Sequence, residues 1–229
     1  MKTIFLFLLC AISVLLSTET YGQAGIKVQD GIGHMIDTDG NLYHTVIIGD
    51  QEWVAENLRV MHYRNGDSIP NVTGVAEWDA LTTGAYCWYN NDEATYKDLY
   101  GALYNWFAVD DSRNLCPSGW HVPSDAEWAT LTTFLGGENI AGGKMKSAAL
   151  WDSPNIGATN TSGFSGRPGG YRLSNSSFIN IGIYSYWWTS TEKSKDPAWH
   201  RFLLSGTARI HRFADSKGAG FSVRCLKDN

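Results

Sequence analysis

The sequence predicts an α+β domain, and three observations carry that prediction. Two helical patterns lie early, between residues 95 and 135. Beyond Gly143 helical periodicity fades, and the chain breaks into short β-branched and aromatic runs separated by glycines. Ten tryptophans beside 24 glycines describe a loop-rich body stapled by aromatic packing rather than a helix bundle. Helices early and strands late in one chain are the α+β pattern.

The chain is 229 residues long and opens with an almost unbroken apolar run over residues 3–17 behind Lys2. That is the charge and length of a secretory signal, and it is shorter than the roughly 20 apolar residues a membrane-spanning helix needs. Small residues at Thr20 and Gly22 suit a signal peptidase, so residues 1–22 are expected to be removed, with cleavage after Ala24 as the alternative. Cys10 follows Leu9 inside the apolar run, where a lipid-anchored cysteine does not sit. The expectation is therefore a secreted or periplasmic protein and not a lipoprotein. It has no further apolar run to insert in a membrane. Residues 23–36 read as a flexible lead-in, and residues 37–229 as one domain without internal repeats, expected to be a monomer. A net charge of −5 excludes the electrostatic footprint of a nucleic-acid binder.

The first ordered unit reads as a β-meander. Asp39-Gly40-Asn41 is a turn signal, because Gly and Asn accept positive φ at little cost. Leu42-Tyr43-His44-Thr45-Val46-Ile47-Ile48 is rich in strand formers, Gly49-Asp50 turns the chain, and Gln51-Glu52-Trp53-Val54 returns. Gly84-Ala85-Tyr86-Cys87-Trp88-Tyr89 supplies a further strand. A first helix is expected from Thr95, with Leu99, Leu103, Trp106 and Phe107 on a stripe flanked by Tyr96, Tyr100 and Tyr104. The second opens on a capping box, in which Ser124 satisfies the Glu127 amide and the Glu127 carboxylate reaches back. Trp128, Leu131 and Leu135 recur on one of its faces, and Gly136-Gly137 ends it. Gly163, Gly166, Gly169 and Gly170 punctuate a long loop region. Closing strands are expected over 184–189, 199–204, 208–213 and 220–226.

Several of these segments carry a resemblance. Asp39-Gly40-Asn41-Leu42-Tyr43 running on to Trp53-Val54-Ala55-Glu56-Asn57-Leu58, then Tyr86-Cys87-Trp88-Tyr89-Asn90, and Tyr100-Gly101-Ala102-Leu103-Tyr104-Asn105-Trp106 come first. Cys116-Pro117-Ser118-Gly119-Trp120-His121-Val122-Pro123, Trp187-Trp188-Thr189-Ser190-Thr191-Glu192 and Gly220-Phe221-Ser222-Val223-Arg224-Cys225-Leu226 follow. In order and spacing they resemble the Fibrobacter succinogenes major paralogous domain, a family of exported bacterial proteins with no agreed activity. The stretch from Gly119 to Trp128 and the segment ending at Cys225 are more distantly similar to sulfatase-modifying-factor proteins, which share a C-type-lectin-like core. The resemblance implies a C-type-lectin-like domain: an N-terminal β-meander, two early helices, a long loop region and closing antiparallel strands. In such a domain a cysteine near the end of the first helix is bridged to one in the final strand, and Cys116 and Cys225 occupy the matching places. Such a bridge would stabilise by roughly 4–5 kcal/mol in the chain-entropy model, with Cys87 left as a buried thiol. The alternatives are three reduced, buried cysteines, or a pairing that involves Cys87.

Catalytic, metal and cofactor sites are not expected. Sulfatase-modifying-factor oxidase chemistry depends on a close cysteine pair, and Cys225 has no such neighbour. His121 lies near Ser124, but the serine is committed to capping. His44, His200 and His211 are scattered singly, without metal-ligand spacing. Where sugar-binding lectins carry calcium ligands, this chain has Ser153-Pro154-Asn155 and Trp188-Thr189-Ser190, which lack the carboxylates. Asp37, Asp39 and Asn41 imitate the opening of a calcium loop, but Ile48 stands where its closing glutamate belongs, so a plain turn is favoured.

What remains is aromatic surface. Tyr184, Tyr186 and Trp188 alternate with Ser185 and Trp187, so one set points to each face of a strand. Trp199 and Arg201 lie in the next run, with Asn180, Thr189, Arg209 and His211 as nearby hydrogen-bonding groups. Such rings suit stacking on sugars or anchoring a protein partner. Tyr184, Tyr186, Trp187, Trp188, Trp199 and Arg201 are thus the expected ligand-binding residues of a non-catalytic module that contacts a glycan or a surface protein. An enzyme of sulfatase-modifying-factor ancestry with other chemistry would instead show a concave pocket with perturbed titratable groups. A structural envelope protein would show a plain polar surface.

Overall fold

The computed structural model describes residues 33–229 and, for the backbone alone, the strand Val28–Gln29. The expected signal segment, residues 1–22, lies outside them. In chain order the first half holds β1 (Val28–Gln29), β2 (His34–Ile36), β3 (Leu42–Ile48), β4 (Gln51–Val54), α1 (Val75–Asp79), β5 (Tyr86–Cys87), a 3₁₀ turn (Tyr89–Asn91), α2 (Glu93–Tyr100), β6 (Leu103–Tyr104) and α3 (Trp106–Val109). The second half holds β7 (Trp120–His121), α4 (Asp125–Phe134), α5 (Glu138–Met145), β8 (Gly169–Arg172), β9 (Phe178–Ile181), β10 (Tyr184–Glu192), β11 (Ala198–Leu204), β12 (His211–Asp215) and β13 (Leu226–Lys227). The chain is α+β, and its sheets are antiparallel apart from the β8–β10 pair.

The meander forms as its alternation dictates. β3 buries Tyr43, Val46 and Ile48 and pairs with β4 from Ile48↔Gln51 to Thr45↔Val54. The Asp37 carboxylate accepts from the amides of Asp39 and Asn41 and, at 2.7 Å, from the Tyr43 hydroxyl, so the Asp-Gly-Asn segment is a turn built on a buried acid. Ordered structure starts earlier than Asp37: β2, inside the segment read as a lead-in, pairs with β3 and buries Met35.

The first helix is shorter than its apolar stripe suggests. α2 stops at Gly101, whose φ is +74° and where a Cβ would sit 2.7 Å from the Leu58 carbonyl oxygen. Leu103 and Tyr104 then extend as β6 and pair with Cys87 and Tyr86, so the expected third meander strand belongs to this small sheet instead. The stripe therefore serves three elements, because Tyr104 reaches the core as a strand residue, donating its hydroxyl to the Val60 carbonyl at 2.7 Å. α4 carries the expected capping box. α5 was not expected, because Gly142 and Gly143 interrupt its pattern. They sit where a Cβ would lie 2.3 Å from the Arg209 carbonyl oxygen and 2.4 Å from that of Gly157, so close backbone approach explains the absence of side chains.

Three sheets result. The first runs β1-β3-β4-β13-β7 with β2 added to β3, the second runs β12-β11-β10-β8-β9, and the third is β5-β6. The C-terminal segment laces them together, which is why only its last two residues form a regular strand. Gly220 bridges Arg172, Phe221 bridges Tyr104, Ser222 bridges Trp187, and Leu226 pairs with both Trp53 and His121. Cys116 and Cys225 are disulfide-bonded and clamp this segment, while Cys87 is free and buried. Burial pushes the Cys87 thiol pKa up to about 12, leaving it inert at neutral pH.

Candidate ligand-binding surface

The expected site residues separate. On β10 the period of two holds: Tyr184, Tyr186 and Trp188 share one face, and Trp187 takes the other. Trp187 and Trp188 are both fully buried, which corrects the expectation that they present rings to a ligand. The sheet is covered on each side, by the C-terminal segment around Phe221 and by α4. The indole of Trp187 donates to the Asn57 side chain at 2.8 Å, and that of Trp188 to the Tyr104 carbonyl at 2.9 Å. Thr189 is likewise buried. Arg201 is no surface contact either, being 3% exposed and ion-paired to Asp125 at 2.6 Å. Trp199 is half-buried, with Arg212 over its ring at 3.4 Å and Lys193 at 4.9 Å, so cations already occupy its π system.

Tyr186 is buried as well, under Phe221 at 5.0 Å, which corrects the expectation for it and leaves half-buried Tyr184; the two tyrosines belong to a longer series. Register places Phe202 opposite Tyr186, and His211 opposite Phe202. The rings stack along β10, Tyr184 on Tyr186 (5.6 Å, 15°), and then across the strands, Tyr186 on Phe202 (5.4 Å, 28°) and Phe202 on His211 (4.5 Å, 8°). Tyr171 closes on Tyr186 at 4.4 Å. Tyr184, Phe202, His211 and Tyr171 are half-buried, and Phe213, two residues beyond His211 on the same face of β12, is 64% exposed. Asn180 stands beside the Tyr186 hydroxyl. Beside the ladder, on the same face and opposite Trp188 and Phe213, His200 is 2% exposed with neither ring nitrogen hydrogen-bonded, and burial pushes its pKa down to about 3, so it is neutral. The sequence signal for this series was the matching alternation of Phe202, His211 and Phe213. It needed the strand register to become a ladder.

At the sheet edge the ladder meets a cleft of about 180 Å³, floored by Ile210 and lined by Asp125, Thr133, Glu138, His211 and Arg212. Asp125 is the first residue of α4 and therefore sits at a helix N-terminus, which favours its charge. Burial acts to raise its pKa, but hydrogen bonds and charge from Arg212 and Arg201 outweigh that and hold it below the usual carboxylate range. Burial, with Arg209 nearby, lowers the His211 pKa, and the Nε2 atom of His211 is buried without a hydrogen-bond partner. Chemically the cleft offers fixed donors and acceptors. Asp125 is locked between two guanidiniums and has no spare basicity, and the His211 ring holds no nucleophile or orienting carboxylate among the described residues.

The other histidine near a serine is equally accounted for. His121 donates from Nδ1 to Asp228 (2.6 Å) and from Nε2 to Glu127 (2.9 Å), and the same Glu127 carboxylate accepts from the Ser124 amide and hydroxyl. Burial works to lower the His121 pKa, yet the Asp228 and Glu127 hydrogen bonds prevail and raise it. It is a cationic strut between β7, α4 and the C-terminal residues.

The Fibrobacter succinogenes major domain family model matches residues 46–227. The chain belongs to that family. No curated protein and no solved structure matches the chain. Within the Fibrobacter succinogenes major domain, the matched stretch contains both disulfide cysteines, the ladder and the cleft. Among the described residues no helix is long and apolar enough to cross a membrane.

Proposed function

We propose that this Fibrobacter succinogenes major domain is an exported, non-catalytic binding module that holds a carbohydrate at the β12 edge of its five-stranded sheet. The observation that carries this reading is the aromatic ladder from Tyr184 to His211, whose outer rings Tyr184, Phe202 and His211 are half-buried and which ends at a polar cleft. Aromatic rings beside a few fixed hydrogen-bonding groups are the composition of small-molecule sites, and flat rings suit stacking against a sugar. The architecture is proposed to be C-type-lectin-like. In support, a disulfide ties the segment before α4 to the closing strand, and the chain's last strand returns to the N-terminal sheet. Export, to the periplasm or the medium, rests on the leader sequence and agrees with the disulfide.

The cleft also favours a second reading, an enzyme of sulfatase-modifying-factor ancestry, since it gathers titratable groups with shifted pKa values. The double arginine clasp on Asp125 weighs against it, because a general base must keep a proton affinity near the working pH. A glycan array with the mature protein tests the binding reading, using Phe213→Ala as the probe. Phe213 is mostly exposed, so its loss should weaken glycan binding several-fold with the Tm nearly unchanged. Absence of any glycan signal, or full retention in Phe213→Ala and Tyr184→Ala, would remove the carbohydrate reading.

A further inference from the structure

Accepting that carbohydrate reading, we infer that the edge cleft receives a single neutral sugar ring end-on, packed against His211 and hydrogen-bonded by Glu138, Thr133 and Arg212. Three observations converge on it.

The first is the end of the stack. β12 is the outer strand of its sheet, and His211 is the last ring of the series, with one face on Phe202 at 4.5 Å and 8°. His211 also lines the cleft, so a flat, weakly polar body seated there would pack against it. The C–H face of a pyranose is such a body.

The second is the pattern of unused hydrogen-bonding capacity. His211 Nε2 is buried and unpartnered. A hydroxyl answers either tautomer, because it both donates and accepts. Arg212 gives its Nε–H to Asp125 and lies flat on Trp199 at 3.4 Å, so its terminal N–H groups are oriented yet uncommitted to that carboxylate. Thr133 is exposed on α4, and Glu138 opens α5 at the rim.

The third is charge and size. The lining balances two carboxylates, Asp125 and Glu138, against two guanidiniums, Arg201 and Arg212. A charged ligand would meet repulsion from one pair. A neutral polyol engages both, since vicinal hydroxyls donate to a carboxylate and accept from a guanidinium. At about 180 Å³ the cleft is below the roughly 300 Å³ at which drug-sized sites begin, which is room for one ring and not for a chain.

The test is a titration of the mature protein with glucose, galactose, mannose and N-acetylglucosamine, alongside glucuronate and inorganic phosphate, followed through the histidine ring resonances in NMR. At least one neutral sugar should shift His211, and Glu138→Gln or Thr133→Val should weaken that binding at least fivefold. Both positions are exposed, so folding is not at stake. Tighter binding of glucuronate or phosphate, or indifference to both cleft substitutions, overturns the inference. If arrays show glycan binding that depends on Phe213 while no monosaccharide reaches His211, the cleft assignment fails and the carbohydrate reading stands. If neither experiment gives a signal, both fall.

Discussion

Lys146, Arg172 and Arg224 are each at most 1% exposed, and none is ion-paired to a carboxylate among the described residues. Backbone carbonyls take the place of a counter-charge. Lys146 Nζ donates to Ile156, Leu204, Ser205 and Thr207 at 2.8–3.4 Å, tying the loop region to the β11–β12 turn. Arg172 holds the carbonyls of Val72, Thr73 and Gly74, and Arg224 those of Val54, Phe164 and Ser165. A loop-rich body has many carbonyls outside ladders, and a buried cation satisfies several at once. Burial pushes the Lys146 pKa down to about 8, against the pull of four acceptors that favour its charged form. Lys146→Met should therefore cost about 3–5 kcal/mol in urea unfolding, since it orphans those carbonyls. His200 gives a pH prediction of a different kind. Its folded pKa, about 3, lies below the ordinary 6.5. The unfolded chain binds the extra proton between these values, so stability is lost as pH falls below 6.5. At pH 5 the loss relative to pH 8 is about 2 kcal/mol from this residue. His200→Phe should abolish that component of the acid sensitivity, and an unchanged pH profile would contradict the buried, neutral assignment.

Elements show where local signals decide and where they do not. The capping box of α4 was readable because Ser124 and Glu127 act within one turn, and the structure keeps both hydrogen bonds. The break after α2 was not, because it depends on Leu58, 43 residues before Gly101 in the sequence, lying against it. Gly101→Ala tests that reason. A Cβ there meets backbone at 2.7 Å in a positive-φ conformation, so the variant should lose about 2 kcal/mol or more, well beyond the roughly 1 kcal/mol of positive φ alone. A Tm shift under a few degrees would mean that Leu58 yields. The tryptophans taught the converse. Alternation on β10 told which residues share a face, but not that both faces are covered.

For the whole molecule, the clamp from Cys116 to Cys225 closes a loop across a sequence separation of 109 residues. The chain-entropy model assigns such a loop about 4–5 kcal/mol. Reduction, or Cys116→Ala with Cys225→Ala, should lower stability by up to that amount, with the Gly220–Ser222 bridges losing amide-exchange protection first because they lie on the clamped segment. Loss of protection elsewhere, with that segment intact, would assign its anchorage to Arg224 and the Leu226 pairings instead.

Sequence alone determined the α+β class, the meander hairpin, the second helix with its cap, three of the four closing strands and the pairing of cysteines that the family resemblance implied. Each follows from patterns within one element or from motifs kept in order. Tertiary structure decided which aromatics face solvent, that Phe202 and His211 extend the Tyr184–Tyr186 pair, and that Asp125, Glu138 and Arg212 meet around a cleft. Those facts depend on strand register and on helices brought together from distant parts of the chain, and periodicity within a segment carries no information about what will cover it.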